Sequence, residues 1–139
     1  MHRLAAASLV VAFIVLLAAA AASARREAAY FVFDYPPGPE EFVIKLTDPV
    51  RIAKARRIVA GEEPALHVMG KVVGGRARWN RRWHFRLAPR SIEFFELAVE
   101  VCDAGIAYVE EHRRAVGGAF LPGRIWCPWG SRLLREVVP

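Results

Sequence analysis

The chain has 139 residues and carries 20 Lys and Arg against 14 Asp and Glu, a net charge of +6 with His neutral. That length gives one modest hydrophobic core and excludes a multidomain chain. The basic surplus is nearly all Arg, which suits an anionic partner such as a cell-surface polymer, nucleic acid or an acidic protein patch, and equally suits plain solubility.

The N-terminus reads as an export signal. Met1-His2-Arg3 is a short basic start, Leu4 to Ala22 is an apolar run, and Ala22-Ser23-Ala24 is a small-residue cleavage site. The run is almost long enough for a membrane anchor, but its alanine content and the A-x-A ending favour a cut after Ala24. Residues 1–24 are therefore expected to leave, and 25–139 to form a single secreted domain, extracellular or periplasmic, with no stable membrane span. Cys102 and Cys127 are the two cysteines of the chain and in an oxidising compartment read as one disulfide. A thiol nucleophile or zinc site is the weaker reading, because no C-x-x-C spacing is present.

Tyr30-Phe31-Val32-Phe33 is a dense aromatic and β-branched run that predicts a buried strand. Pro36-Pro37-Gly38-Pro39 breaks it with a turn. Phe42 to Leu46 predicts a second strand with Phe42, Ile44 and Leu46 on one face. Asp48-Pro49 is a helix start, with Asp48 as cap, and the helix runs to about Ala60 before Gly61. It reads as an ordinary surface helix; the sharper alternative is a basic amphipathic element for an acidic partner. Leu66 to Val73 and Trp83 to Leu87 alternate as strands of a hairpin with a long basic connection. Trp83, Phe85 and Leu87 point to the core in that pattern.

The segment Ile92 to Asp103 predicts a central helix, begun at Pro89 and stopped at Gly105. Glu93, Glu96, Glu100 and Asp103 then form a narrow acidic ribbon on an otherwise apolar rod. Ile106 to Ala115 reads as a second, shorter helix. Leu133 to Val138 closes the chain as an edge strand. The fold class is thus α+β: a small, mainly antiparallel sheet packed against two to three helices, with one disulfide. Trp126 and Trp129 bracket Cys127 and are placed to shield that disulfide.

Charge is segregated along the chain. No carboxylate lies between Glu63 and Glu93, while Lys71, Arg76, Arg78, Arg81, Arg82, Arg86 and Arg90 all do; Ser91 to Glu111 holds six acids and no Lys or Arg. Either the acidic ribbon lies against the basic hairpin, or the surface is dipolar and meets an anion through the Arg-rich loop.

Three chemistries compete for these residues. His84 and Asp103 with a Cys or Ser131 make a hydrolytic triad on paper, but no nucleophile-elbow pattern surrounds either nucleophile. His67, His84 and His112 offer imidazoles without paired ligand spacing, so neither a metal nor another cofactor is expected. Binding is favoured, with Asn80, Arg81, Arg82, Trp83 and His84 as the surface patch and Trp129 beside it, since Arg and Trp anchor most binding energy. The alternative is a protease inhibitor that presents Gly74 to Arg82 as a rigid loop; a hydrolase using His84 is the second alternative.

The motifs Phe42-Val43-Ile44-Lys45-Leu46-Thr47-Asp48-Pro49, His67-Val68-Met69-Gly70, Asn80 with Trp83-His84-Phe85, Glu100-Val101-Cys102-Asp103 and Trp126-Cys127-Pro128-Trp129 occur together in order. With them the chain resembles the small domain at the N-terminus of a slime-mould calmodulin-binding protein, a domain also found as stand-alone secreted proteins. The resemblance implies an α+β fold with Cys102 joined to Cys127. It suggests a calmodulin-type partner only for the full-length relative. The expectation is a secreted, non-catalytic module for an anionic or protein partner, with no specific nucleic acid.

Overall fold

The computed structural model describes residues 28–98 and 100–139. The expected signal peptide and the first mature residues lie outside the described residues. Among the described residues no helix is long and apolar enough to cross a membrane.

Strands dominate. β1 (Ala29–Asp34) and β2 (Glu41–Leu46) form an antiparallel hairpin in register from Ala29 opposite Leu46 to Asp34 opposite Glu41. Phe31, Val32 and Phe33 are buried because β1 is the middle strand: β9 (Arg132–Val137) pairs along its other side, antiparallel, with a register shift at Val32 and Phe33. The C-terminal segment is thus an edge strand, as its pattern predicts. On β2 the expected face holds, with Phe42, Ile44 and Leu46 at 1% exposure or less.

Asp48 caps α1 (Pro49–Val59): its Oδ1 accepts from the Arg51 N–H at 3.0 Å, and Pro49 takes the first-turn place where a missing N–H costs nothing. Ile52, Ala55 and Ile58 turn inward, and Gly61 leaves the helix at φ +74°, a left-handed backbone that glycine adopts without strain.

The second sheet is built on β3 (His67–Gly74), which pairs antiparallel with β4 (Phe85–Leu87) at Val72–Gly74 and with β5 (Glu93–Phe95) at His67–Met69. β8 (Ile125–Trp126) pairs with β3 at Gly70 and Lys71. Gly70 is required there by close approach, since a Cβ would sit 3.1 Å from Leu87 Cδ1 and 3.3 Å from Ile92 Cγ1. Trp126 joins the two sheets, its ring centroid 5.3–5.7 Å from those of Phe33, Phe42 and Phe85. Its Nε1 donates to Ala104 O at 2.9 Å, so the buried indole leaves no polar atom unpaired.

The predicted central helix is absent. Glu93–Phe95 is β5, and Glu100–Cys102 is a single 3-10 turn; Pro89–Ser91 is likewise a 3-10 turn and not an α-helix start. Leu97 is 85% exposed and Val101 65%, where a buried rod would have covered both. The reason is competition: β3 offers backbone partners to Glu93–Phe95, and Phe94 and Phe95 suit a strand as well as a helix. The acidic ribbon dissolves with the helix, and Glu93 pairs instead with Arg51 of α1. The second predicted helix is divided into α2 (Ile106–Glu111) and a 3-10 turn at Arg113–Ala115. Among the described residues two α-helices therefore accompany a sheet-dominated fold, rather than two or three helices carrying it. β6 (Val116–Gly117) and β7 (Phe120–Pro122) form a small parallel pair before β8.

Cys102 and Cys127 form the disulfide, their Cα atoms 5.1 Å apart, and the Cys127 N–H donates to Cys102 O at 2.8 Å.

Candidate anion-binding site

The connection between β3 and β4, residues 75–84, holds Arg76, Arg78, Arg81 and Arg82, and it runs along the outer edge of β2. Trp83 Nε1 donates to Glu41 O at 2.8 Å, and Asn80 Oδ1 accepts from the Val43 N–H at 3.2 Å. Further along, Lys45 lies 5.0 Å over the Trp79 ring. The loop thereby satisfies outward backbone groups that an edge strand would otherwise expose, which also blocks pairing with another chain. Asn80 Nδ2 donates to Phe85 O at 3.2 Å, and Asn80 N–H closes a tight turn onto Ala77 O at 3.0 Å. Arg86 Nη1 donates to Gly74 O and Gly75 O at 2.8 and 3.1 Å and holds the near side of the loop.

This arrangement divides the sequence-predicted patch. Asn80 and Trp83 are only 3% and 6% exposed. They are braces that fix the loop, not surfaces offered to a ligand, and the alternation that assigned Trp83 to the core was the correct signal. Arg81, Arg82 and His84 are exposed. The Arg82 guanidinium lies 4.9 Å over the Trp83 ring, and Arg81 Nε donates to Arg78 O at 3.1 Å. Trp129 is elsewhere: its N–H donates to Asp103 Oδ1, which also accepts from the Tyr35 hydroxyl, at the turn end of the β1–β2 hairpin. Burial, and after it the Asp103 carboxylate, raises the Tyr35 hydroxyl above its ordinary pKa. Tyr30, beside the loop, is five strand residues from Tyr35, roughly 17 Å at about 3.4 Å per residue.

Residues that the sequence did not single out complete the site. Tyr30 of β1, Lys45 of β2, and Arg78, Trp79 and Arg81 of the loop line a cleft of about 230 Å³, with Pro139 at its border. Tyr30 and Trp79 make one corner, centroids 5.8 Å apart and planes at 50°. Lys45 Nζ is 6.0 Å over Tyr30 as well as 5.0 Å over Trp79, a cation–π placement that holds the ammonium at the cleft. Tyr30 and Lys45 are opposite each other in the β1–β2 register, which is what brings them together.

The charge arrangement is unequal across the molecule. Arg51, Arg56, Arg57, Arg113, Arg132 and Arg135 are all in salt bridges with carboxylates. Among the described residues, Lys45, Arg76, Arg78, Arg81 and Arg82 have no carboxylate partner; Arg76 donates instead to His84 Nε2 at 2.6 Å.

His84 is bound to Glu110. Its Nδ1 is 2.6 Å from Glu110 Oε1, and its backbone N–H donates to Oε2 at 3.0 Å. Because Arg76 is only a donor, Nε2 accepts and the ring proton belongs on Nδ1, toward the carboxylate. The triad drawn from sequence is not assembled. Ser131 is 1% exposed and its Oγ accepts from Val68 N–H, Asp103 is held by Tyr35 and Trp129, and both cysteines are in the disulfide. His67 contacts Ser131 O and Phe95, and His112 contacts Tyr108, so the three imidazoles have separate neighbours. Among the described residues no three His, Cys, Asp or Glu side chains gather as metal ligands. As for the inhibitor loop, Ala77–Asn80 is a closed turn, so Arg78 stands at a corner and not on the extended segment a protease cleft takes.

A small disulfide-linked domain, sheet-dominated with two short helices, carrying a basic and aromatic cleft on a braced loop: that is the class these observations define. The chain belongs to the N-terminal domain family of the calmodulin-binding protein, whose family model matches residues 27–139. Comparison with curated proteins and with solved structures gives no match.

Proposed function

We propose that the chain is a secreted, non-catalytic binding module that meets an anionic partner through the 75–84 loop. The observation that carries this reading is the set of unpaired cations. Arginines elsewhere on the surface have carboxylates within reach, whereas the loop gathers Arg76, Arg78, Arg81 and Arg82 with Lys45 and no acid to offset them. Like charges held together raise the local potential, and an incoming anion relieves that repulsion. The loop is fixed at Asn80, Trp83 and Arg86, so little ordering cost remains for binding. The disulfide supports an oxidising compartment.

A calmodulin-type partner, implied by resemblance, falls under the same charge reading. A helix-in-groove mode suits α1 poorly, since Ile52, Ala55 and Ile58 are in the core and Arg56 and Arg57 are salt-bridged to Glu136 and Glu63. The loop is the better surface.

The test uses the full chain and inorganic polyphosphate as a plain polyanion. Replacing Arg76, Arg78, Arg81 and Arg82 together by Gln lowers affinity at least tenfold and flattens its salt dependence, while Arg114→Gln, an exposed arginine outside the loop, leaves both unchanged. Equal affinity in the quadruple variant sinks the reading.

A further inference from the structure

We infer that the cleft between Tyr30 and Trp79 takes one acidic sugar unit, a pyranose ring bearing a sulfate or carboxylate group, as the recognition element of an acidic polysaccharide. The inference rests on the anion-binding reading above and names the chemistry of its ligand.

Three features lead to it. First, the cleft is small. At about 230 Å³ it lies below the roughly 300–1,000 Å³ typical of sites for drug-sized ligands, and it suits a single ring with one charged substituent. Second, its walls have two chemistries. Tyr30 and Trp79 give an aromatic corner, and Lys45, Arg78 and Arg81 give cations with no Asp or Glu side chain among the lining residues. The Arg81 guanidinium is fixed through Nε on Arg78 O, and its terminal N–H groups have no protein partner among the described residues. Planar N–H donors of that kind match the paired oxygens of a sulfate or carboxylate. Third, the aromatic geometry decides between ring types. A nucleobase binds by stacking flat on an aromatic face, with further bases on successive platforms along a groove. Here the two rings stand at 50° with centroids 5.8 Å apart, which leaves no parallel slot between them, and Lys45 occupies space over the Trp79 face. A puckered sugar ring needs no parallel slot: its C–H face rests on one wall of the corner while its acidic group turns to the cations.

Equilibrium binding to the full chain tests this with four probes of similar charge: a sulfated oligosaccharide, an oligogalacturonate, inorganic polyphosphate and a single-stranded oligonucleotide. At least one saccharide is expected to bind more tightly than the oligonucleotide. Trp79→Ala is expected to weaken that saccharide roughly tenfold, the scale of losing one well-placed aromatic contact, while polyphosphate changes less than twofold. Arg81→Gln weakens both saccharide and polyphosphate. Circular dichroism checks that each variant is folded, and Tyr30→Ala supplies a second removal of the aromatic wall should Trp79→Ala not fold. The two acidic sugars separate a sulfate from a carboxylate as the group preferred. If Trp79→Ala and Tyr30→Ala leave saccharide affinity unchanged while the quadruple arginine variant abolishes it, the sugar site is wrong and the anion-binding face stands. A preference for the oligonucleotide over both sugars also overturns it. If the quadruple variant binds every probe normally, both readings fall.

Discussion

Asn80 ties together two backbone groups from different strands: the Val43 N–H, from which it accepts, and Phe85 O, to which it donates. At 3% exposure the loss of either bond leaves a polar group away from water, and that costs more than a typical hydrogen bond contributes. Asn80→Ala is therefore expected to destabilise the fold by about 1–3 kcal/mol, read as a lower urea midpoint. Arg81→Gln, exposed and one position along, is expected to leave that midpoint unchanged. A midpoint for Asn80→Ala equal to that of the parent would mean the loop is not braced as described. Neighbouring tryptophans show how residue identity and residue role part company. Trp83 is a core brace with its indole N–H on Glu41 O, whereas Trp79, four positions earlier, is half-buried at the turn and lines the cleft. Strand alternation from Trp83 to Leu87 was enough to place Trp83 inside. Nothing local marks Trp79, because its function depends on Tyr30 and Lys45, which reach it only through the β1–β2 register.

Among the elements, those with local signals were legible and those decided by competition were not. β1, β2 and α1 lie close to where alternation, the Asp48 cap and Pro49 put them. The segment 92–103 is the opposite case. Between its acidic residues nearly every position is apolar, so a helix and a strand are both compatible with it, and the open side of β3 decides for Glu93–Phe95. Glu110 as the partner of His84 was equally invisible, since 26 positions separate them and α2 must fold before they meet. β9 offers a test of what secures an edge element. Its outward residues Arg135 and Glu136 are paired with Glu41 of β2 and Arg56 of α1, at 2.7 and 2.8 Å. The hydrogen bond from Arg135, foremost, lowers the Glu41 pKa, and the one from Arg56 does the same for Glu136. A carboxylate whose folded pKa is depressed contributes stability above its unfolded value, and that contribution is lost as pH falls through the folded value. Stability is thus expected to decline as pH drops below the ordinary glutamate range near about 4.3. Both pairs are solvent-accessible, so the effect is modest and weaker in high salt. The Glu41→Gln, Glu136→Gln double variant is expected to show a shallower loss between neutral and acid urea midpoints; an unaltered slope would place the acid sensitivity elsewhere.

Over the whole molecule, the parts that hold the fold and the part that meets a ligand lie at opposite ends of the same hairpin. At the turn end, Tyr35, Asp103 and Trp129 surround the segment that carries Cys102 and Cys127. At the open end, Tyr30 and Lys45 form the floor of the cleft. Between them the core is small, a ring cluster of Phe33, Phe42, Phe85 and Trp126 with its aliphatic surround, and strands such as β4, β5 and β8 are two or three residues long. Such short strands pair only because their neighbours are already in place. The segment from Glu96 to Ala104, with Leu97 and Val101 exposed, has little apolar burial of its own. The covalent link must therefore supply a large share of what keeps it against β8, by removing open conformations from the unfolded chain. For a sequence separation of 25 the loop-entropy estimate is about 3–4 kcal/mol. Replacing both cysteines by Ser is expected to lower unfolding free energy by about that amount, measured by urea titration under conditions where the variant is still folded. Because the cleft belongs to the far end, the same variant is expected to bind polyphosphate with unchanged affinity well below its unfolding midpoint. Loss of binding before loss of structure would show instead that the disulfide end and the basic loop act as one unit, and that the clasp positions the site as well as stabilising the chain.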